Sequence, residues 1–63
     1  MKLLRSDGNR ITLELSVDEA ILINNALNEV CNGIDVWEFE TRLGSSIEEA
    51  ARLLKEISRV LEE

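Results

Sequence analysis

Cys31 is the only cysteine of this chain, and histidine is absent. Neither an intramolecular disulfide nor a tetrahedral Cys/His zinc site can therefore hold the fold together. That is a severe constraint on 63 residues. A chain of this size buries only about 60% of the surface that its unfolded form exposes. Small domains normally compensate with cross-links, metals or association. What remains here is helix packing and self-association, and both together are expected, with a homodimer as the resulting species. A lone thiol also fits a reducing compartment.

The opening residues "MKLL" run directly into Arg5, Ser6 and Asp7, without the apolar stretch of a secretory leader. The longest apolar run, Ala20-Ile21-Leu22-Ile23, is far too short to span a bilayer. A single soluble, cytoplasmic domain over 1–63 is expected, with no membrane partner. The net charge of -6 is unevenly spread: residues 1–16 sum to +1, residues 17–44 to -5 and residues 45–63 to -2. An acidic middle repels nucleic acid and anionic lipid and favours basic partners.

The pattern along the chain predicts an α+β fold with order ββααα. Asp7-Gly8 is a favoured two-residue hairpin turn. After it, Ile11, Leu13 and Leu15 alternate with Arg10, Thr12 and Glu14, the period of a half-buried strand. In that register Leu4 opposes Ile11, and helices should cover the apolar face, because two strands alone are barely stable. Ser16 with Glu19 forms a capping box, and Leu15 before it can act as a hydrophobic staple. The helix that follows, at 17–32, presents Ala20, Ile23, Ala26, Leu27, Val30, Cys31 and Ile34 on one face, with Gly33 as its left-handed stop. Asp35 with Glu38, and Gly44 beyond, frame a short helix at 36–43. Ser45 and Ser46 each precede a glutamate by three residues. Behind them Ile47, Ala50, Ala51, Leu53, Leu54, Ile57, Val60 and Leu61 make a broad stripe, backed by Glu48–Arg52 and Arg52–Glu56 pairs.

Two constellations stand out as partner-binding surfaces. "IDVWEFE", residues 34–40, holds both aromatic residues together with Asp35, Glu38 and Glu40. In a helix Phe39 points to the core with Val36 and Leu43, and Trp37 lies about 100° away from them. Trp37 then either caps a small core or anchors a partner, since partly exposed tryptophan is enriched among binding hot spots. Asn24, Asn28 and Asn32 recur every four residues, with Asn25 alongside. Asparagine is a mediocre helix former, so such a ladder has a cost. Its amides could clamp a partner's backbone, or tie the hairpin and the 33–36 turn to the helix. At least one amide should be buried and hydrogen-bonded.

"FETRLGSSIEEAARLLKEI", residues 39–57, resembles the second and third helices of bacterial helix-turn-helix regulators through Leu43-Gly44, Ser46, Ala50, Leu53 and Ile57. The resemblance implies DNA binding, yet Glu48 and Glu49 stand where a recognition helix would offer basic or amide side chains. Catalytic chemistry has little to work with. Cys31 has no cationic neighbour in sequence, there is no phosphate loop, and no calcium loop is present. No enzyme activity, metal or cofactor is expected. The longer run from Leu15 to Leu54, with Asn25-Ala26-Leu27-Asn28-Glu29-Val30, Asn32-Gly33 and Glu38-Phe39-Thr41-Arg42-Gly44, resembles small stand-alone bacterial proteins to which no activity attaches. It implies a bacterial, cytosolic origin and nothing more. The expected function is a small acidic protein-binding module, acting as immunity or antitoxin-like inhibitors do by occluding a basic partner. The alternatives are a structural homo-oligomerisation module and a helix-turn-helix DNA-binding regulator.

Overall fold

The structure is a computed structural model describing residues 1–63. Its order is β1 (Lys2–Ser6), β2 (Ile11–Glu14), α1 (Val17–Asn28), a π-helical turn (Glu29–Gly33), α2 (Phe39–Leu43) and α3 (Ile47–Leu61). This is the α+β, ββααα arrangement that the sequence pattern indicates.

Strands β1 and β2 form an antiparallel hairpin in which Leu3 pairs with Leu13 and Ser6 with Ile11. The connection therefore spans residues 7–10 rather than the two residues Asp7-Gly8. Asp7 is the reason. Its Oδ1 accepts the backbone N–H groups of Arg10 at 2.8 Å and Asn9 at 3.0 Å, while its own N–H reaches the Arg10 carbonyl at 3.2 Å. Those donors favour the ionised carboxylate and hold the Asp7 pKa below its ordinary value. Gly8 supplies the positive φ, +91°, that this wider turn needs. The longer loop shifts the register, so Ile11 faces Ser6 and Leu4 falls in a bulge between Leu3 and Arg5.

No helix covers the hairpin. Every residue of both strands is exposed. The substantial contacts between elements are β1 with β2, α1 with α3, and the π-helical turn with its two helical neighbours. The expectation of a covered strand face is thus corrected: α1 and α3 bury their faces on one another and leave Leu3, Ile11 and Leu13 to solvent.

Both long helices start as their capping boxes dictate. Ser16 Oγ accepts from Glu19 N–H at 3.1 Å, and Glu19 Oε1 accepts from Ser16 N–H at 2.9 Å. Ser46, not Ser45, repeats this with Glu49. The α-ammonium of Met1 sits 2.6 Å from the second carboxylate oxygen of Glu19, the one ion pair in the structure. The Glu48–Arg52 and Arg52–Glu56 pairs do not close, in keeping with how little an exposed pair gains against its lost side-chain entropy.

The end of α1 departs from expectation. Gly33 is not left-handed; the positive φ values belong to Gly8, Gly44 and Glu38. The helix instead widens into the π-helical turn, and Ile34 N–H bonds back to the Glu29 carbonyl at 2.9 Å. The nearest atom to a Cβ at Gly33 would be Glu29 Oε2 at 2.6 Å, the end of a flexible, exposed side chain that can move aside. The short helix begins at Phe39 rather than residue 36, and Asp35 does not cap it. Ile34 is extended, and Glu38, at φ 53° and ψ 53°, is left-handed immediately before α2.

Helices α1 and α3 run antiparallel, with the start of α1 beside the end of α3. On this side α1 has Ala20, Ile23, Asn24 and Leu27 half-buried, the π-helical turn has Val30 and Cys31, and α3 has Ala50 buried and Leu54, Ile57, Ser58 and Leu61 half-buried. Only Ala50, 7% exposed, is fully buried. Ala26, Ile34, Ala51, Leu53 and Val60, expected on the apolar faces, are exposed. The stripe on α3 is wider than α1 can cover.

Candidate functional site

Trp37 is 74% exposed, the highest exposure among the large hydrophobic side chains. The sequence leaves it either capping the core or facing outward, and in the structure it faces solvent. Its indole is not loose. Nε1 donates to Oε1 of Glu38 at 2.9 Å. Glu38 occupies the left-handed region that a residue with a Cβ enters at a cost. A solvent-facing tryptophan is thus held by a strained neighbour, an arrangement found at binding and switch segments.

Glu38, the partner of that indole, also lines an open cleft of about 370 Å³ with Phe39, Glu40, Thr41, Ser46, Ile47 and Glu48. Two short-range facts build it. Left-handed Glu38 turns the chain into α2, which projects Glu40 and Thr41. Gly44, at φ 74°, then closes α2 through its N–H to the Glu40 carbonyl at 2.8 Å, bringing the first turn of α3 alongside. Three carboxylates, Glu38 just before α2, Glu40 in α2 and Glu48 in α3, thereby share one cleft with the half-buried Phe39 and the side chain of Ile47. Such a cleft suits a cationic side chain on an aliphatic stem: charge meets carboxylate, and the stem lies on apolar surface. At the back, Glu49 caps α3, and bonds from the Ser46 backbone and hydroxyl hold its carboxyl below the ordinary pKa.

The structure separates the residues that the sequence reading grouped. Glu38 and Glu40 line the cleft, whereas neither Asp35 nor Trp37 does; Trp37 is linked to it only through its bond to Glu38. The asparagine ladder splits in two. Asn24 is half-buried in the α1–α3 contact, where its Oδ1 accepts from Ser58 Oγ at 2.6 Å. Asn28 and Asn32 are exposed and bond to each other, Asn32 Nδ2 to Asn28 Oδ1 at 3.0 Å. The ladder therefore ties to other side chains, not to the backbone of the hairpin or the 33–36 turn. Glu48, Thr41 and Ile47 join the cleft, although the sequence does not mark them as partner-binding residues. The Gly44-Ser45-Ser46 turn, which joins α2 to α3, was the available signal.

No three His, Cys, Asp or Glu side chains gather as metal ligands would. Cys31 is free and half-buried. No helix is long and apolar enough to cross a membrane. The chain matches no protein-family model, no curated protein and no solved structure.

Proposed function

We propose that this chain is a small, non-catalytic protein-binding module that takes a basic partner in the acidic cleft, with Trp37 as anchor. The carrying observation is the 74% exposure of Trp37, whose indole is bonded to Glu38, one of the three carboxylates that line the cleft. A net charge of -6 steers a basic surface towards the cleft, and the indole gives it an apolar seat. Occlusion of the partner, in the manner of immunity proteins and antitoxins, is the proposed mode of action, in a bacterial cytoplasm. Helix-turn-helix DNA binding is the weaker reading, since Glu48 and Glu49 in the first turn of α3 repel phosphate.

Affinity capture tests this reading. The wild-type chain, Trp37→Ala and a Glu38→Lys/Glu40→Lys variant are each exposed to a bacterial lysate at low salt. A defined basic protein held by the wild type, lost from both variants and released by salt supports the proposal. Equal capture by all three sinks it.

A second reading, self-association as a homodimer, is favoured by the surface area. The chain exposes 5418 Å², against about 4,100 Å² for a compact folded chain of this mass. Its radius of gyration is 12.9 Å, against roughly 10.6 Å for a compact domain of this length.

A further inference from the structure

A groove of about 620 Å³ lies between β2, the start of α1 and the end of α3, bordered by Leu13, Leu15, Val17, Leu53, Ile57 and Val60. We infer that a second copy of this chain closes this groove, through a two-fold contact centred on the Leu53–Ile57–Val60 seam of α3. The inference rests on the homodimer reading and adds the surface that makes the contact.

The pattern of α3 explains why the seam is open. Ala50, Leu54, Ile57 and Leu61 recur at the spacing of one helix face and are buried or half-buried against α1. Leu53 and Val60 stand one step around the helix, 52% and 67% exposed. The helix thus carries two adjoining apolar seams and has a partner within its own chain for only one. The spare area fits a second copy. The chain exposes 5418 Å², about 1,300 Å² more than a compact chain of its mass should. A standard interface removes about 800 Å² per partner, and obligate homodimers remove more.

Charge decides between a copy and a basic partner here. Beyond the seam, Arg52, Glu56 and Arg59 alternate in sign along the same side of α3, at i, i+4 and i+7. Both signs are therefore available to a surface that meets itself across a two-fold axis. The acidic charge that would draw a basic protein is concentrated instead at the Trp37 cleft. The two faces are different, and so are their salt dependences. Screening weakens capture of a basic partner but leaves an apolar contact between two chains of charge -6 intact or tighter.

Sedimentation equilibrium of the full chain at micromolar concentration tests the assignment. The wild type is expected to be a dimer at low and high salt. Val60→Glu and Leu53→Glu are expected to weaken association by the order of 100-fold, because each substitution enters a two-fold interface twice. Leu22→Glu, at a 70% exposed position away from the groove, should leave the dimer intact. If Val60→Glu does not fold, the wild type alone decides: its thermal midpoint should rise with chain concentration. A wild-type monomer with a concentration-independent midpoint overturns the inference. So does a dimer that survives both groove substitutions. Neither result touches the Trp37 cleft, whose failure appears only as loss of discrimination between wild type and Trp37→Ala in capture.

Discussion

The Ser58–Asn24 hydrogen bond is the one side-chain hydrogen bond joining α1 to α3, and its strength can be worked out in advance. At 2.6 Å between half-buried groups, it should contribute about 1 kcal/mol net, within the usual range of roughly 0.5–1.5. Ser58→Ala alone understates this, because alanine is the better helix former by about 0.5 kcal/mol and offsets part of the loss. Asn24→Ala carries a similar offset. A double-mutant cycle removes both propensity terms and isolates the pair. The coupling expected is about 1 kcal/mol, which corresponds to roughly 4–8 °C in thermal midpoint for a domain of this size. That is a large share of the roughly 3–9 kcal/mol that a chain of this length has in total. The assay is a set of circular-dichroism melts of wild type, both single variants and the double variant at one chain concentration. Strictly additive singles would refute the claim that this bond fixes α1 against α3.

Other outcomes follow from the same geometry. Ser46→Ala should lower stability by about 1 kcal/mol, because it strips the cap of the longest helix, and urea titration reads that directly. Glu38→Gly should stabilise the chain by up to about 1 kcal/mol, since glycine adopts the left-handed conformation freely, yet it should weaken partner capture by releasing the Trp37 indole. Stability and capture moving together would contradict the role given to the strain. Glu19 has its pKa lowered to about 2, first by the Met1 ammonium and then by the Ser16 backbone. Its folded pKa lies below its ordinary value, so its contribution is fully present above the usual glutamate range and is lost as pH falls towards 2. An NMR pH titration of the Glu19 side chain checks this, and acetylating the Met1 amine should move its midpoint up.

What the sequence made legible is local chemistry. Ser16 with Glu19 and Ser46 with Glu49 set the starts of α1 and α3 because a capping box closes within four residues. Gly44 ends α2 because its φ of 74° suits glycine. The hairpin was legible as an element but not in register: Asp7 could close a two-residue turn or accept two N–H groups in a wider one, and it does the latter. The start of α2 was misplaced because Glu38 takes the left-handed conformation just before Phe39, which composition does not display. Which seam of α3 is buried, and that the hairpin stays uncovered, depend on how α1 crosses α3. Such contacts are not written in any one segment. At the candidate site, Trp37, Glu38 and Glu40 were readable from one heptapeptide, whereas Glu48 enters from the next helix. Asn24 was legible as an amide needing a partner, but Ser58, 34 residues away, was not identifiable as that partner.

The most direct measurement is acrylamide quenching of the Trp37 fluorescence across a dilution series, because Trp37 is the only tryptophan. Red, readily quenched emission is predicted at every concentration, since the groove that a second copy closes does not include Trp37. Blue, protected emission at every concentration would contradict Trp37 as the exposed anchor and the acidic cleft as the binding surface.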